Sequence, residues 1–229
     1  MRVDAHRMWW WCVHRLEFRI VRAQVLSVDC TCRIAQRGVH HVIPVTAPQI
    51  AIGWGGVRFS PRALLAWLSP GTHLVLLGAG GGLAPVLRVG DVVTATALLD
   101  AEQLDRGALV VDPLPWTTAL PGFYWAPIVT VRMPVYRPAE KHRLYRTTGA
   151  WCVDMESVHW RDVVVALARA FRFSVVRWIL DTAQERVSPR PSWWQQRMRE
   201  ILEREGDRIA CWIQGMLTSV TWIDTARGV

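Results

Sequence analysis

The chain has 229 residues, 51% of them hydrophobic and 20% charged, and its 27 Lys and Arg against 19 Asp and Glu give a formal net charge of +8. That apolar fraction is too high for a disordered tail and ample for a full core, and the length suits one domain. No apolar run nears the roughly 18 residues of a membrane-spanning helix, and neither a Gly-X-Y period, a heptad period nor a solenoid repeat is present, so a soluble globular protein is expected.

Residues 1–16 carry Arg2, Arg7 and Arg15 around Trp9-Trp10-Trp11-Cys12-Val13. Five apolar residues are too few for the core of a signal peptide, and no small-residue cleavage site follows. The segment reads as a leader, disordered or preceding a start at Met8, with an interfacial Trp–Arg anchor as the alternative. A single domain is expected over 17–229. Glu17–Leu26 reads as a strand, Asp29–Arg37 as a short helix stopped by Gly38, and Val42–Val45 and Ile50–Ile52 as short strands. Ser60 and Pro61 start a helix to Leu68, with Leu64, Leu65 and Leu68 on one face.

Leu74–Leu77 is a continuous apolar run, as a strand buried on both faces requires, and it leads straight into Gly78-Ala79-Gly80-Gly81-Gly82-Leu83. Another strand begins at Val89-Gly90-Asp91-Val92-Val93, residues 100–122 read as an irregular excursion, and Ile128–Val131 as a strand. From Asp154 to Phe171 apolar residues recur at helical spacing. Phe173–Leu180 reads as a buried strand interrupted by Arg177 and ending at Asp181. Pro191 opens a last helix, with Ser192 and Gln195 spaced as a capping box and a buried stripe that includes Trp194, Met198 and Ile201 and runs on to Val220. Strands alternating with helices argue for an α/β fold with a parallel or mixed sheet.

The composition has two biases: 26 of the 27 basic residues are arginine, Lys141 being the single lysine, and 14 tryptophans stand against 3 tyrosines and 5 phenylalanines. The arginines are spread along the chain and form no run, and no helix-turn-helix, RNA-recognition or zinc-finger pattern accompanies them, so a nucleic-acid partner is not expected. The five cysteines, Cys12, Cys30, Cys32, Cys152 and Cys211, make an odd set without framework spacing, which suits a reducing, cytoplasmic setting. No Cys/His pairs stand at zinc spacing, and no metal is expected.

Three features could carry chemistry. The glycine run after a buried strand is either a tight inter-strand turn or a place where ligand atoms approach the backbone; it is neither a Rossmann fingerprint, since a strand rather than a helix follows, nor a Walker loop. Val153-Asp154-Met155-Glu156-Ser157 lies at a helix start, where acids suit the dipole, yet Glu156 at the core edge needs a partner, and a sugar hydroxyl pair would supply one. Asp181, at the C-terminal end of a strand, stands where ligands of open α/β sheets collect; partly desolvated, it could deliver a proton, or it could simply cap Thr182-Ala183.

In combination these blocks resemble the purine nucleoside phosphorylase and nucleosidase superfamily. The carrying residues are Gly80-Gly81-Gly82-Leu83-Ala84-Pro85, Gly90-Asp91-Val92-Val93, Pro138-Ala139-Glu140-Lys141, Thr148-Gly149-Ala150, Val153-Asp154-Met155-Glu156-Ser157 and Val176-Arg177-x-Ile179-x-Asp181-x-Ala183. In detail the chain is most similar to the hopanoid-biosynthesis branch, which acts on adenosylhopane. The resemblance implies a three-layer α/β/α fold around a central mixed sheet, and cleavage of an N-glycosidic bond with release of adenine. Asp181 would protonate purine N7 and Asp29 would handle a nucleophilic water or the sugar. Glu156 would hold the ribose hydroxyls with Met155 on the sugar face, Gly80 and Gly81 would approach ribose or phosphate, and Met133, Pro134 and Val135 would flank the base. Arg33 would bind phosphate where the branch has another arginine, and Arg177 would partner a carboxylate. Inorganic phosphate is the one co-substrate implied, no cofactor is, and a homo-oligomer is expected.

The chain departs from the branch pattern at Cys30, Thr31 and Cys32, at Asp29 in place of glutamate, at Leu77 before the glycines, and in the bulk of Trp151, His159, Trp160 and Trp178. A methylthioadenosine or S-adenosylhomocysteine nucleosidase, a non-catalytic relative and a basic nucleic-acid-binding protein are the alternatives. A triterpenoid substrate implies a peripheral encounter with membrane, to which Trp9–Trp11 or the Trp193-Trp194 pair could contribute.

Overall fold

The computed structural model of the protein describes residues 8–12, 35–37, 39–44, 50–54, 71–114, 121–166, 171–190, 192–201 and 203–205. The expected strand Glu17–Leu26, the expected helix from Ser60 to Leu68, the stripe beyond 205, and the site candidates Asp29 and Arg33 lie outside the described residues.

The core is a mixed sheet. Strands β1 (Met8–Cys12), β2 (Ala35–Arg37), β3 (Val39–Pro44) and β4 (Ile50–Trp54) form one wing. Strands β5 (His73–Gly82), β6 (Val92–Asp100), β8 (Phe123–Thr130), β9 (Cys152–Asp154) and β10 (Arg172–Asp181) form the other, with the short β7 (Leu109–Val110) paired to β6. β5 runs parallel to β10; β10 pairs antiparallel with β6; β6 runs parallel to β8, and β8 to β9; β9 returns antiparallel to β5. These five strands therefore close on themselves, while β1, β4, β3 and β2 extend the sheet from the other side of β5. Leu74, Leu76, Val93, Phe173, Val175 and Ile179 pack together as the main core. Leu74–Leu77 and Phe173–Leu180 are buried throughout, as strands covered on both faces are; the first is wholly apolar, and the second carries Ser174 and Arg177 inward with the apolar residues.

Two helices flank these strands: α1 (Pro138–Thr148) and α2 (Ser157–Ala166), the latter packed against β6 and β10. A third, α3, covers 192–201. α1 opens with Pro138 in its first turn and Glu140 Oε2 accepting from the Arg137 N–H at 3.3 Å, and it stops at Gly149, whose φ of +68° is the left-handed cap that favours glycine.

Several expectations need correction. Met8–Cys12, read as part of a leader, is a strand that pairs in parallel with both β4 and β5. Ala35–Arg37, read as the end of a helix, is a strand antiparallel to β3. Gly78–Gly82 is not a turn, because all five residues continue β5. Asp154 ends a strand instead of starting a helix, and α2 begins only at Ser157. Within the expected excursion, Leu104–Arg106 forms a 3-10 turn and Leu109–Val110 a strand.

Among the described residues no helix is long and apolar enough to cross a membrane, and no group of three or more His, Cys, Asp or Glu is placed to hold a metal ion.

Candidate active site

The glycine strand sets the site. β5 lies between β9 and β10 where its residues are glycine. A Cβ on Gly80 would stand 2.5 Å from Cys152 Sγ, 3.1 Å from the Val153 carbonyl and 3.3 Å from Arg177 Cβ. One on Gly81 would stand 3.0 Å from Val153 Cγ1 and 3.4 Å from Asp181 Oδ1. Glycine is needed here because backbones and buried side chains from three strands meet without room for another carbon. Gly80→Ala is expected to destabilise the protein by about 1–3 kcal/mol through overpacking, and Cys152→Ala in the same chain to recover part of that loss, both read from urea unfolding.

A cavity of about 320 Å³ opens at this end of the sheet. Its floor holds Gly80, Gly81, Asp154 and Asp181, and its sides include Met155, Glu156, Pro134 and Val135. Val187, Pro189, Arg190, Trp193, Trp194 and Tyr136 also line it. Seven of the nominated residues thus meet at one cavity: Gly80, Gly81, Pro134, Val135, Met155, Glu156 and Asp181. Met133 does not line it; its side chain is 73% exposed.

Asp181 is 6% exposed, and the β10–β5 register shifts between Ile179 and Asp181, as a bulge does when it re-aims a side chain at a strand end. Burial pushes its carboxyl above the ordinary range, with Glu185 adding to the rise and the cations of Lys141 and Arg197 opposing it. Lys141 Nζ donates to Asp181 Oδ1, to the Thr182 carbonyl (2.7 Å) and to the Glu185 carbonyl (3.0 Å). The turn after Asp181 is pinned further: the Thr182 N–H donates to Glu185 Oε2 (2.7 Å), Arg197 Nη2 reaches Glu185 Oε1 (2.5 Å), and Arg197 Nε donates to the Leu180 carbonyl (3.0 Å).

A second buried network holds Glu156. Arg177, 1% exposed, donates from Nε to Asp154 Oδ2 (2.8 Å) and from Nη2 to Ser157 Oγ (3.0 Å), and the same Nη2 lies 3.6 Å from Glu156 Oε2. Thr130 Oγ1 donates to Asp154 Oδ1 (2.7 Å), and the Ser157 hydroxyl donates to Asp154. Arg177 therefore partners carboxylates, as expected, and Glu156 has a protein partner while still facing the cavity. Met155 stands beside it, 44% exposed.

The bulky departures sort by place. Trp160 and Trp178 are buried and Trp151 packs on the main core, so none of the three lines the cavity. Trp193 and Trp194, considered above for membrane contact, do line it. Sequence reasoning gave Lys141 no role, although it is the only lysine and sits in the Pro138-Ala139-Glu140-Lys141 block, and it did not nominate Tyr136 or Arg190.

No family profile and no curated protein matches the chain by sequence. Solved structures do match its fold. The 5′-methylthioadenosine/S-adenosylhomocysteine nucleosidase from Helicobacter pylori superposes with a TM-score of 0.66 at 16% identity, over 94% of this chain and 99% of that one. The nucleosidase of the same name from S. pneumoniae gives 0.67 at 14%, over 93% and 99%. The futalosine hydrolase of H. pylori gives 0.64 at 14%, over 93% and 98%. The fold is the one these nucleosidases share. The mixed sheet with flanking helices expected from the sequence is that fold.

Proposed function

We propose that the protein cleaves the N-glycosidic bond of a 5′-modified adenosine and releases adenine. The observation that carries this reading is Asp181: a carboxylic acid held above its ordinary range by burial, at the floor of a cavity shared with Glu156 and the Gly80-Gly81 backbone. Breaking a purine glycosidic bond leaves negative charge on the base and positive charge on the sugar. A carboxylic acid that gives a proton to purine N7 relieves the first. An ionised Glu156 accepts hydrogen bonds from ribose hydroxyls, with Met155 against the sugar. The fold neighbours are nucleosidases, and one H. pylori structure is an aspartate-to-asparagine mutant with 5′-methylthioadenosine in its active site, consistent with this assignment.

The finer reading is a substrate with a large apolar 5′ group, adenosylhopane, in hopanoid biosynthesis. It is supported by the resemblance of the sequence blocks and by the apolar wall of Val187, Pro189, Trp193 and Trp194 at the cavity. Asp29 and Arg33 are proposed for water or sugar handling and for phosphate. The acceptor is then phosphate or water. The names of the fold neighbours favour a second reading, a methylthioadenosine or S-adenosylhomocysteine nucleosidase.

Chromatography of products from adenosylhopane, methylthioadenosine and adenosine, each with and without phosphate, separates these readings. Adenine is expected from a 5′-modified substrate, and faster with phosphate if transfer is phosphorolytic. No adenine from any of the three would overturn the assignment.

A further inference from the structure

We infer that Lys141 is a positioning residue for Asp181: its ammonium holds one carboxyl oxygen so that the other faces the cavity, and it stabilises the carboxylate left once the proton has gone. The inference rests on the proposed role of Asp181 as proton donor.

Lys141 is 0% exposed, the one buried residue of α1 and the only lysine in the chain. A helix that packs through half-buried Leu144 and Tyr145 does not need to sink an ammonium fully into the protein to satisfy its own packing. Burying that charge is costly unless it is paired and its hydrogen bonds are filled. All three ammonium protons are used, on Asp181 Oδ1 and on the carbonyls of Thr182 and Glu185. Oδ1 is thereby fixed, and among the described residues Oδ2 accepts no hydrogen bond, while Asp181 lines the cavity. Oδ2 is therefore the oxygen left to carry the transferable proton.

The charge balance follows from this geometry. Before transfer Asp181 is neutral and Lys141 rests on its acceptors. The O–H bond at Asp181 breaks, the proton forms a bond to the nitrogen of the leaving base, and the new carboxylate lies against an ammonium already in place. No reorganisation is needed at that moment, which makes such preorganised charge effective. The other charged or titratable groups around Asp181 are Glu185 in the following turn, Arg197 on α3, Arg177 four residues back on β10, Asp154 and Cys152 on β9, and Glu156, Arg190 and Tyr136 in the lining of the cavity. Arg177 is engaged with Asp154 and Glu156, and Arg197 with Glu185 and Glu200, so Lys141 is the cation in direct contact with the Asp181 carboxyl.

The test uses the full-length protein and four forms: wild type, Lys141→Met, Asp181→Asn and the double variant. Lys141→Met is expected to lower kcat roughly tenfold to hundredfold with little change in KM. It should also move the alkaline limb of kcat/KM to higher pH, because the remaining burial favours the neutral acid. In the Asp181→Asn background the same change should cost nothing further. An equal loss in both backgrounds with an unmoved limb would mean that Lys141 only braces the 182–185 turn, and the inference fails.

A second measurement needs neither turnover nor the lysine variant. Because there is one lysine, wild type labelled with ¹³Cε-lysine gives one side-chain resonance, and that signal should report a pH step that is absent in Asp181→Asn. A signal without that step overturns the inference. If the wild type releases no adenine, the functional reading fails by itself, and the lysine signal still decides the coupling.

Discussion

Replacing Asp181 by asparagine is expected to lower kcat by roughly 10²–10⁴-fold, the range for removal of a general acid, while leaving the fold and ligand binding in place. Asparagine keeps the shape, and its carbonyl oxygen can still accept from Lys141, but it has no acidic proton. Adenine release measures the loss, and calorimetric titration with methylthioadenosine measures what binding survives. Full activity in the variant would remove Asp181 from the mechanism.

The same residue sets a pH dependence. Burial, the largest influence, holds the Asp181 carboxyl above the ordinary range, and Lys141 and Arg197 only partly offset it. The acid is competent when protonated. kcat/KM should therefore be level on the acid side and fall as pH rises through the raised value, and Asp181→Asn should abolish that limb. If wild-type kcat/KM instead rises with pH across this region, Asp181 acts as a base and the proposed direction of proton transfer is reversed.

The parts of the molecule legible in the sequence are those whose signal is local. Leu74–Leu77 is an unbroken apolar run and Phe173–Leu180 an apolar one interrupted by Ser174 and Arg177, and they are the central parallel pair. Asp181 at a strand end and Glu156 among core residues each carry a local cue, but on that cue alone each also reads as a cap or a helix-start acid, and it is the resemblance of the combined blocks that singles them out. The glycine run was harder, because its meaning lies in what stands across from it: Cys152 and Arg177 are far away in sequence, and only pairing shows that Gly80 belongs to a strand with no room for a Cβ. Met8–Cys12 lacks any local cue that it pairs with β4 and β5, so five apolar residues after a basic start read as a leader.

α1 is hard to see in the sequence for a different reason. Its only buried residue is Lys141, so the helix has no apolar stripe for a period of 3.6 to reveal. Its ends did carry a signal, in Pro138, Glu140 and Gly149, which are start and stop residues in the expected order. The partner of Asp181 stays hidden at that level, since Lys141 lies 40 residues earlier and meets it only through the fold.

Arg177→Met should produce the largest loss of stability. Arg177 and Asp154 are both buried and joined at 2.8 Å, and Asp154 also accepts from Thr130 and Ser157. Methionine fills much of the space but removes the charge, which leaves a carboxylate in the core with only hydroxyl and backbone donors. Removing one member of a buried pair costs about 3–5 kcal/mol. For a chain of this size that lowers Tm by roughly 10–15 °C. Adding Asp154→Asn should return part of the loss, because the amide oxygen can still accept from Thr130 and no unpaired charge remains. Arg177 Nη2 also lies 3.6 Å from Glu156 Oε2, so the single variant frees Glu156 from its cation. Under conditions where the variant is folded, KM should rise as the sugar-facing carboxylate loses its fixed orientation. A Tm within a degree or two of wild type would show that the Arg177–Asp154 pair is not what holds β9 to β10 at the floor of the site.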